Sequence, residues 1–178
     1  MLLPRVHGFT VRLIQPEDAA AWASYACRPE VKEHTSSTVT TVEDVTAVIR
    51  RMLADGPASP IHFVLVPQGS ETLIATVGFH TISALNGTAE ITYDVAPSHW
   101  GRGIAAAACQ AATRWGFEVK GWHRIQATTV LTNVGSQRVL ERSGFKREGL
   151  VRNFRLVRGK PTDYLLYSAI PGEVPSAA

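Results

Sequence analysis

Apolar positions recur along this chain at two different periods. In "FTVRLI", Phe9, Val11 and Leu13 alternate with Thr10 and Arg12, the period-two pattern of a half-buried strand. "QPEDAAAWASYAC" predicts a helix: Pro16 suits a first helical position, and two acids fall in the first turn, where the helix dipole favours them. A second helix is expected to start at Thr41. Thr41 and Asp44 have capping-box spacing, with Asp in place of Glu, and Val45, Val48, Ile49, Met52 and Leu53 form one apolar face. "DGPASP" ends it. The polar "RPEVKEHTSSTVT" between the two helices reads as a loop.

From residue 61 the period shortens. "IHFVLV", "LIATVGFHTIS" and "AEITYDV" read as an antiparallel meander, with Asn86-Gly87 as a hairpin signal. A glycine turn and a helix ending near Val119 and Lys120 follow. "RIQATTVL" is another strand, "NVGSQRVLERSG" a short helix closed by Gly144, and the last stretch a hairpin around Arg158-Gly159. The order βααβββαβαββ predicts one α+β domain over residues 1–178: a mixed, mostly antiparallel sheet flanked by helices, with a loose tail over about 171–178. If the one strand–helix–strand unit is parallel, its crossover should be right-handed.

Composition narrows the class. Of 178 residues, 45% are hydrophobic and 19% charged, enough for a real core. The net charge of +3 tolerates an anionic ligand, but no dense Lys/Arg run argues for nucleic acid. Cys27 and Cys109 are far apart, which speaks against a disulfide framework or a zinc site and fits a reducing compartment. No apolar run approaches the ~18 residues of a membrane helix, and Pro4 and Arg5 interrupt the N-terminus too early for a signal peptide. A soluble cytoplasmic protein with no metal is expected.

The turn "SHWGRGIAAAACQAA" carries the first chemical signal. Glycines before a helix let the backbone approach an anion, and the helix N-terminus offers unpaired N–H groups and partial positive charge. A phosphate cradle and a plain tight turn both remain open on this pattern alone. It is not a P-loop, since no Gly-Lys-Ser/Thr follows. It also fails the dinucleotide fingerprint, since Ala106 stands where the last glycine should be and the preceding strands form a meander.

"AEITYDVAPSHWGRGIAAAACQAATRWGF" followed by "ATTVLTNVGSQRVLERSGFKREG" resembles the GNAT superfamily of acyl-CoA-dependent N-acetyltransferases. More narrowly, it is similar to the ribosomal-protein alanine/serine (RimJ/RimL-like) branch. The strong likeness spans about residues 89–149, with weaker echoes in "VRLIQPEDAAAW", "RPEV" and "GKPTDYLLYS". The resemblance implies that Trp100, Gly101, Arg102, Gly103, Ile104 and Ala105 cradle the acetyl-CoA diphosphate. Trp100 stands where the superfamily has Gln or Arg, as in other Trp-Gly-x-Gly versions in this branch. It further implies that the main chain of Tyr93, Asp94 and Val95 holds the pantetheine arm, with Asn133 and Ser136 of "TNVGS" reaching its far end.

The same resemblance supplies roles to weigh against plainer readings. Glu90, opposite in parity to Ala89, Ile91 and Tyr93, is either a solvent-facing strand residue or the carboxylate that takes the amine proton. Ser136 either caps the short helix or donates to the CoA sulfur. Many members place a Tyr four residues before the "GF" glycine as the leaving-group acid; here that position is Leu140, which leaves Ser136 or no acid. His62, His80, His99 and Cys109 read as ordinary strand, loop and core residues, and Trp22, Trp115 and Trp122 as packing. The basic run Lys146, Arg147, Arg152, Arg155, Arg158 and Lys160 reads as the solvated face of a hairpin. The implied activity is acetyl transfer from acetyl-CoA to an amine: a protein N-terminus, or else a small amine or antibiotic. A silent CoA-binding module and a nucleotide-binding enzyme are the competing readings. The branch includes dimers, so the resemblance leans towards a homodimer.

Overall fold

The computed structural model describes residues 2–33, 35–54, 56 and 58–175. Positions 55 and 57 of "DGPASP" and 176–178 of the tail lie outside the described residues. Among these residues seven strands form one sheet: β1 (Phe9–Leu13), β2 (Ile61–Pro67), β3 (Ala75–Ser83), β4 (Thr88–Val95), β5 (Arg124–Val130), β6 (Lys146–Val157) and β7 (Lys160–Ala169), in the order β1-β2-β3-β4-β5-β7-β6. The meander is antiparallel as read, and only β4 and β5 run parallel. Their pairing covers just Thr88↔Arg124, Ala89↔Ile125 and Glu90↔Gln126. Past Glu90, β4 stays with β3 and β5 stays with β7, so the sheet opens into a gap.

The helices are α1 (Ala19–Ala26), α2 (Pro29–Lys32), α3 (Val42–Met52), α4 (Ile104–Lys120) and α5 (Val134–Arg142). Helix α4 crosses one face of the sheet, and its alanines let it lie close. Ala108, Cys109 and Ala112 are fully buried, and Trp115 packs edge-on to Phe63 at 5.0 Å. Gly116 is forced by the same close approach: a Cβ there would sit 2.7 Å from Ile125 Cδ1. On the other face α1 is fastened by polar contacts, the Trp22 indole (2.9 Å) and Tyr25 hydroxyl (2.6 Å) both donating to the Asp94 carboxylate.

The capping box of α3 forms, Asp44 N–H donating to Thr41 Oγ1 at 3.1 Å and Thr41 N–H to Asp44 Oδ2 at 3.1 Å. Its apolar face is one residue shorter than the spacing suggests, since Leu53 is the C-cap and exposed. Three other expectations change. Helix α2 lies in the stretch read as loop: Pro29 at its first position presets the helical φ, and Val31 is buried. Pro16 opens a 3-10 turn, Pro16–Asp18, that leads into α1. Residues 171–175 of the tail are docked. Glu173 pairs with Lys146, the Arg114 guanidinium donates to the Pro175 carbonyl at 2.7 Å, and the Glu173 backbone packs against Gly144.

Candidate active site

The gap places main-chain groups where a neighbouring strand would ordinarily take them. The Ala96 N–H donates to the Ile74 carbonyl at 2.8 Å. By the alternation of an antiparallel ladder, residues 91, 93 and 95 turn their peptide groups away from β3 and towards β5. The β4–β5 ladder has already ended at Glu90↔Gln126. The Trp100 indole N–H takes the last of these carbonyls, Val95 O, at 2.7 Å, and so ties the glycine turn to the end of β4.

Gly101 and Gly103 have φ of +76° and +78°, the left-handed region that glycine enters without cost. A Cβ at either would meet nothing within 4 Å, so the requirement is conformational rather than spatial. Gly103 is the N-cap of α4 and no side chain caps that helix. Its first N–H groups and the positive end of its dipole are therefore offered to a ligand. Helix α5 begins the other wall: Asn133 Oδ1 accepts from the Ser136 N–H at 2.9 Å, an N-cap that fixes where Ser136 stands.

A cavity of about 690 Å³ occupies this gap. It brings together Tyr93, Asp94 and Val95 of β4, Trp100, Gly101, Gly103, Ile104 and Ala105 of the turn, and Asn133 and Ser136 of α5. Val31 and Thr35, from the segment read as loop, form a further wall. Arg102 does not line it; its guanidinium turns back to the Ser98 carbonyl at 3.2 Å. Asp94 borders it without offering a hydrogen-bonding group: by the same alternation its peptide N–H and C=O turn towards β3, and its carboxylate lies on the opposite face with Trp22 and Tyr25. The expectation that its main chain holds the pantetheine arm therefore falls to Tyr93 and Val95. Burial pushes the Asp94 carboxyl above the usual carboxylate range, and the bonds from Tyr25 and Trp22 oppose that shift.

Inside the cavity Tyr93 Oη lies 2.9 Å from Ser136 Oγ and 3.3 Å from the Ser136 carbonyl. Burial raises the Tyr93 phenol well above its ordinary pKa. Leu140 is buried and offers no donor.

Glu90 does not line this cavity and does not face solvent. It is 3% exposed, and its Oε1 accepts from Thr128 Oγ1 at 2.7 Å and from Arg155 Nη2 at 2.8 Å. Parity placed it correctly on the polar face of β4, but the β6–β7 hairpin covers that face. Arg155 thus departs from the solvated reading of its segment. The register shift between Val151 and Arg155 re-aims β6, and the guanidinium lies over Phe154 and Tyr164. Only a motif that predicts the shift could have singled out Arg155. The tip of the hairpin reaches α2, where the Arg158 guanidinium donates to the Lys32 carbonyl.

Of the remaining candidates, only His99 lines the cavity and only His80 neighbours Glu90. His80, opposite Glu90 in the β3–β4 register, has its pKa lowered, chiefly by burial. His62 is buried with Nε2 3.1 Å from Thr76 Oγ1, and desolvation lowers its pKa to about 4. His99 lines the cavity, its Nδ1 paired with Ser98 Oγ at 3.0 Å. Cys109 is buried and its thiol pushed up to about 12 by desolvation, so it is a packing residue. Among the described residues no three His, Cys, Asp or Glu side chains converge on a metal position, and no helix is long and apolar enough to cross a membrane.

A sheet that parts between two parallel strands, with a glycine-capped helix N-terminus at the opening, defines an acetyltransferase of the GNAT class. The chain belongs to that family: the model described as "Acetyltransferase (GNAT) domain" matches residues 9–146. It is 31% identical over 168 residues to the uncharacterized N-acetyltransferase p20 of Bacillus licheniformis, covering 92% of this chain and 93% of that one. It is 32% identical over 100 residues to the ribosomal-protein-serine acetyltransferase of Escherichia coli (strain K12), 56% of each chain. Mycobacterium smegmatis RimJ, solved in complex with CoA-disulfide, superposes with a TM-score of 0.84 at 26% identity, covering 98% of this chain and 88% of that one. The protein is an N-acetyltransferase, and its likeness is to the RimJ-like branch of the family.

Proposed function

We propose that this N-acetyltransferase moves an acetyl group from acetyl-CoA to the α-amino group of a protein N-terminus in the cytoplasm. The observation that carries the donor half is the cavity in the β4–β5 gap. One wall is main chain turned away from β3, and the uncapped N-terminus of α4 stands at its mouth. These groups fit acetyl-CoA. A diphosphate suits the N–H groups of Ile104 and Ala105 beyond the Gly101 and Gly103 turn. A pantetheine arm with its two amides suits the peptide groups of Tyr93 and Val95. Asn133 and Ser136 close the far end. Bound acetyl-CoA supplies the activated thioester.

The chain's own part is then positioning and charge management. We assign Glu90 the amine proton, received directly or through water, with Thr128 and Arg155 holding its Oε1. We assign Ser136 the hydrogen bond to the leaving sulfur. The names of the ribosomal-protein acetyltransferases among the relatives support a protein N-terminus as acceptor.

Thermal-shift titration with acetyl-CoA, CoA, ATP and NAD tests the donor. Stabilisation that grows with the CoA ligands alone is expected, as mass action requires of a ligand bound to the native state. Equal protection by ATP or NAD, or none by CoA, would overturn the reading. A thiol-release assay with N-terminal peptides of ribosomal proteins, polyamines and aminoglycosides tests the acceptor, and turnover of a polyamine or aminoglycoside alone would replace the peptide.

A further inference from the structure

Leu140 stands where many members of the family carry a tyrosine as leaving-group acid, and a different phenol, Tyr93, lies in the cavity. At the position that many members fill with Tyr, Leu140 is 1% exposed and packed in the core. Tyr93 enters the same cavity from β4 and meets Ser136, 43 residues away in sequence, with a hydroxyl–hydroxyl distance of 2.9 Å. A serine hydroxyl has one proton and two lone pairs. Left alone, it can turn that proton to any nearby acceptor. Either oxygen can donate at this contact, and Tyr93 Oη also lies 3.3 Å from the Ser136 carbonyl, a second acceptor for the one phenol proton. When the shorter contact takes that proton, the serine's own proton is turned away from Tyr93.

We propose that Tyr93 is a positioning residue for the leaving group, donating to Ser136 Oγ so that the Ser136 hydroxyl proton is turned onto the CoA sulfur. This rests on the reading of the cavity as the acetyl-CoA site. As the amine nitrogen bonds to the carbonyl carbon, the carbon–sulfur bond breaks and its electron pair stays on sulfur. The Ser136 hydroxyl hydrogen-bonds to that thiolate. Tyr93 keeps its proton throughout, consistent with a phenol whose pKa burial raises well above the ordinary value. The proton lost by the amine passes to Glu90 and then to water, and the released thiolate takes a proton from solvent. Two hydroxyls in series also polarise one another, so the pair presents a stronger donor than Ser136 alone.

The test is a double-mutant cycle on Tyr93→Phe and Ser136→Ala, read in kcat, in KM for acetyl-CoA and in the calorimetric Kd of CoA. Loss of one net hydrogen bond corresponds to roughly tenfold in rate. Each single change is expected to lower kcat by about that factor. The double variant should fall no further than the worse single, and Tyr93→Phe should lower kcat by a larger factor than it raises the Kd for CoA. Ser136→Thr, which keeps the hydroxyl, should restore most of the rate. If Tyr93 only ties β4 to α5, Tyr93→Phe will raise the Kd for CoA and leave kcat alone, which overturns the proposal. Losses that multiply in the double variant overturn it too, because the residues would then act separately. Failure of the unmodified enzyme to bind CoA at all would instead defeat the donor-site reading.

Discussion

Breaking the contact between Arg155 and Glu90 gives the sharpest test of how the buried carboxylate of β4 is held. Glu90 has 4% of its side chain exposed and Arg155 33%, with 2.8 Å between Nη2 and Oε1. A fully buried pair that loses one partner costs about 3–5 kcal/mol, because the other charge is left uncompensated, while an exposed pair is worth about 0.2–1 kcal/mol. One end here is buried and the other is partly wet. Arg155→Met should therefore cost about 2 kcal/mol, below the fully buried figure because solvent screens the guanidinium and Thr128 still donates. Glu90→Gln removes the charge and keeps a carbonyl that can accept from Thr128, so it should cost less. In the double variant the penalty of Arg155→Met should largely vanish, leaving a coupling above about 1 kcal/mol. Urea unfolding of the four proteins measures this directly. Additive losses would refute the reasoning, because an orphaned carboxylate would then not be the source of the cost. The same four proteins test the assignment of Glu90 in catalysis. Glu90→Gln should lower the rate with little change in acetyl-CoA affinity, and an unchanged rate and pH–rate profile would dismiss Glu90 as the base.

Acid should weaken the fold through His62. Its pKa is about 4 in the native state against 6.5 for the free side chain, so the unfolded chain binds more protons between those values. Stability is full above about pH 6.5 and falls as pH drops towards 4, by about 3 kcal/mol in all. Unfolding at stepped pH should show a shallower slope in His62→Gln over that window, and equal slopes would discard the prediction. At the turn, Gly103→Ala forces a side chain into a left-handed φ of +78° and should cost about 1 kcal/mol of stability. It should also weaken CoA binding more than Arg102→Ala, because the Arg102 side chain lies outside the cavity and the backbone does the phosphate work. Calorimetry on both variants decides the order.

What could be seen in the sequence follows the range of each cause. The capping box at Thr41 and Asp44, the left-handed glycines of the turn and the alanines that let α4 approach the sheet are local, and local patterns carry them. Ser136 was read as a possible cap of the short helix, but the cap is Asn133, whose side chain accepts from the Ser136 N–H three residues on. The gap itself was not legible, since nothing in the composition of β4 or β5 says that their pairing stops at Glu90↔Gln126. That is a property of where β7 pulls β5 and β3 holds β4.

The same limit explains Glu90 and Tyr93. A strand's period of two assigns a residue to a face but does not say what covers that face. Glu90 was placed on the polar face, and what makes it a buried, paired carboxylate is Arg155, 65 residues later and aimed inward by a break in the β6 register. Tyr93 was placed on the apolar face, and the partner of its hydroxyl, Ser136, stands at a helix start 43 residues later. In both cases the residue type was visible and its partner was not. Loss of a family residue at one position, Leu140 here, thus says little about loss of its chemistry until the partners of every hydroxyl in the cleft are known. Tyr93 and Ser136 both line the cavity, whereas Leu140 does not.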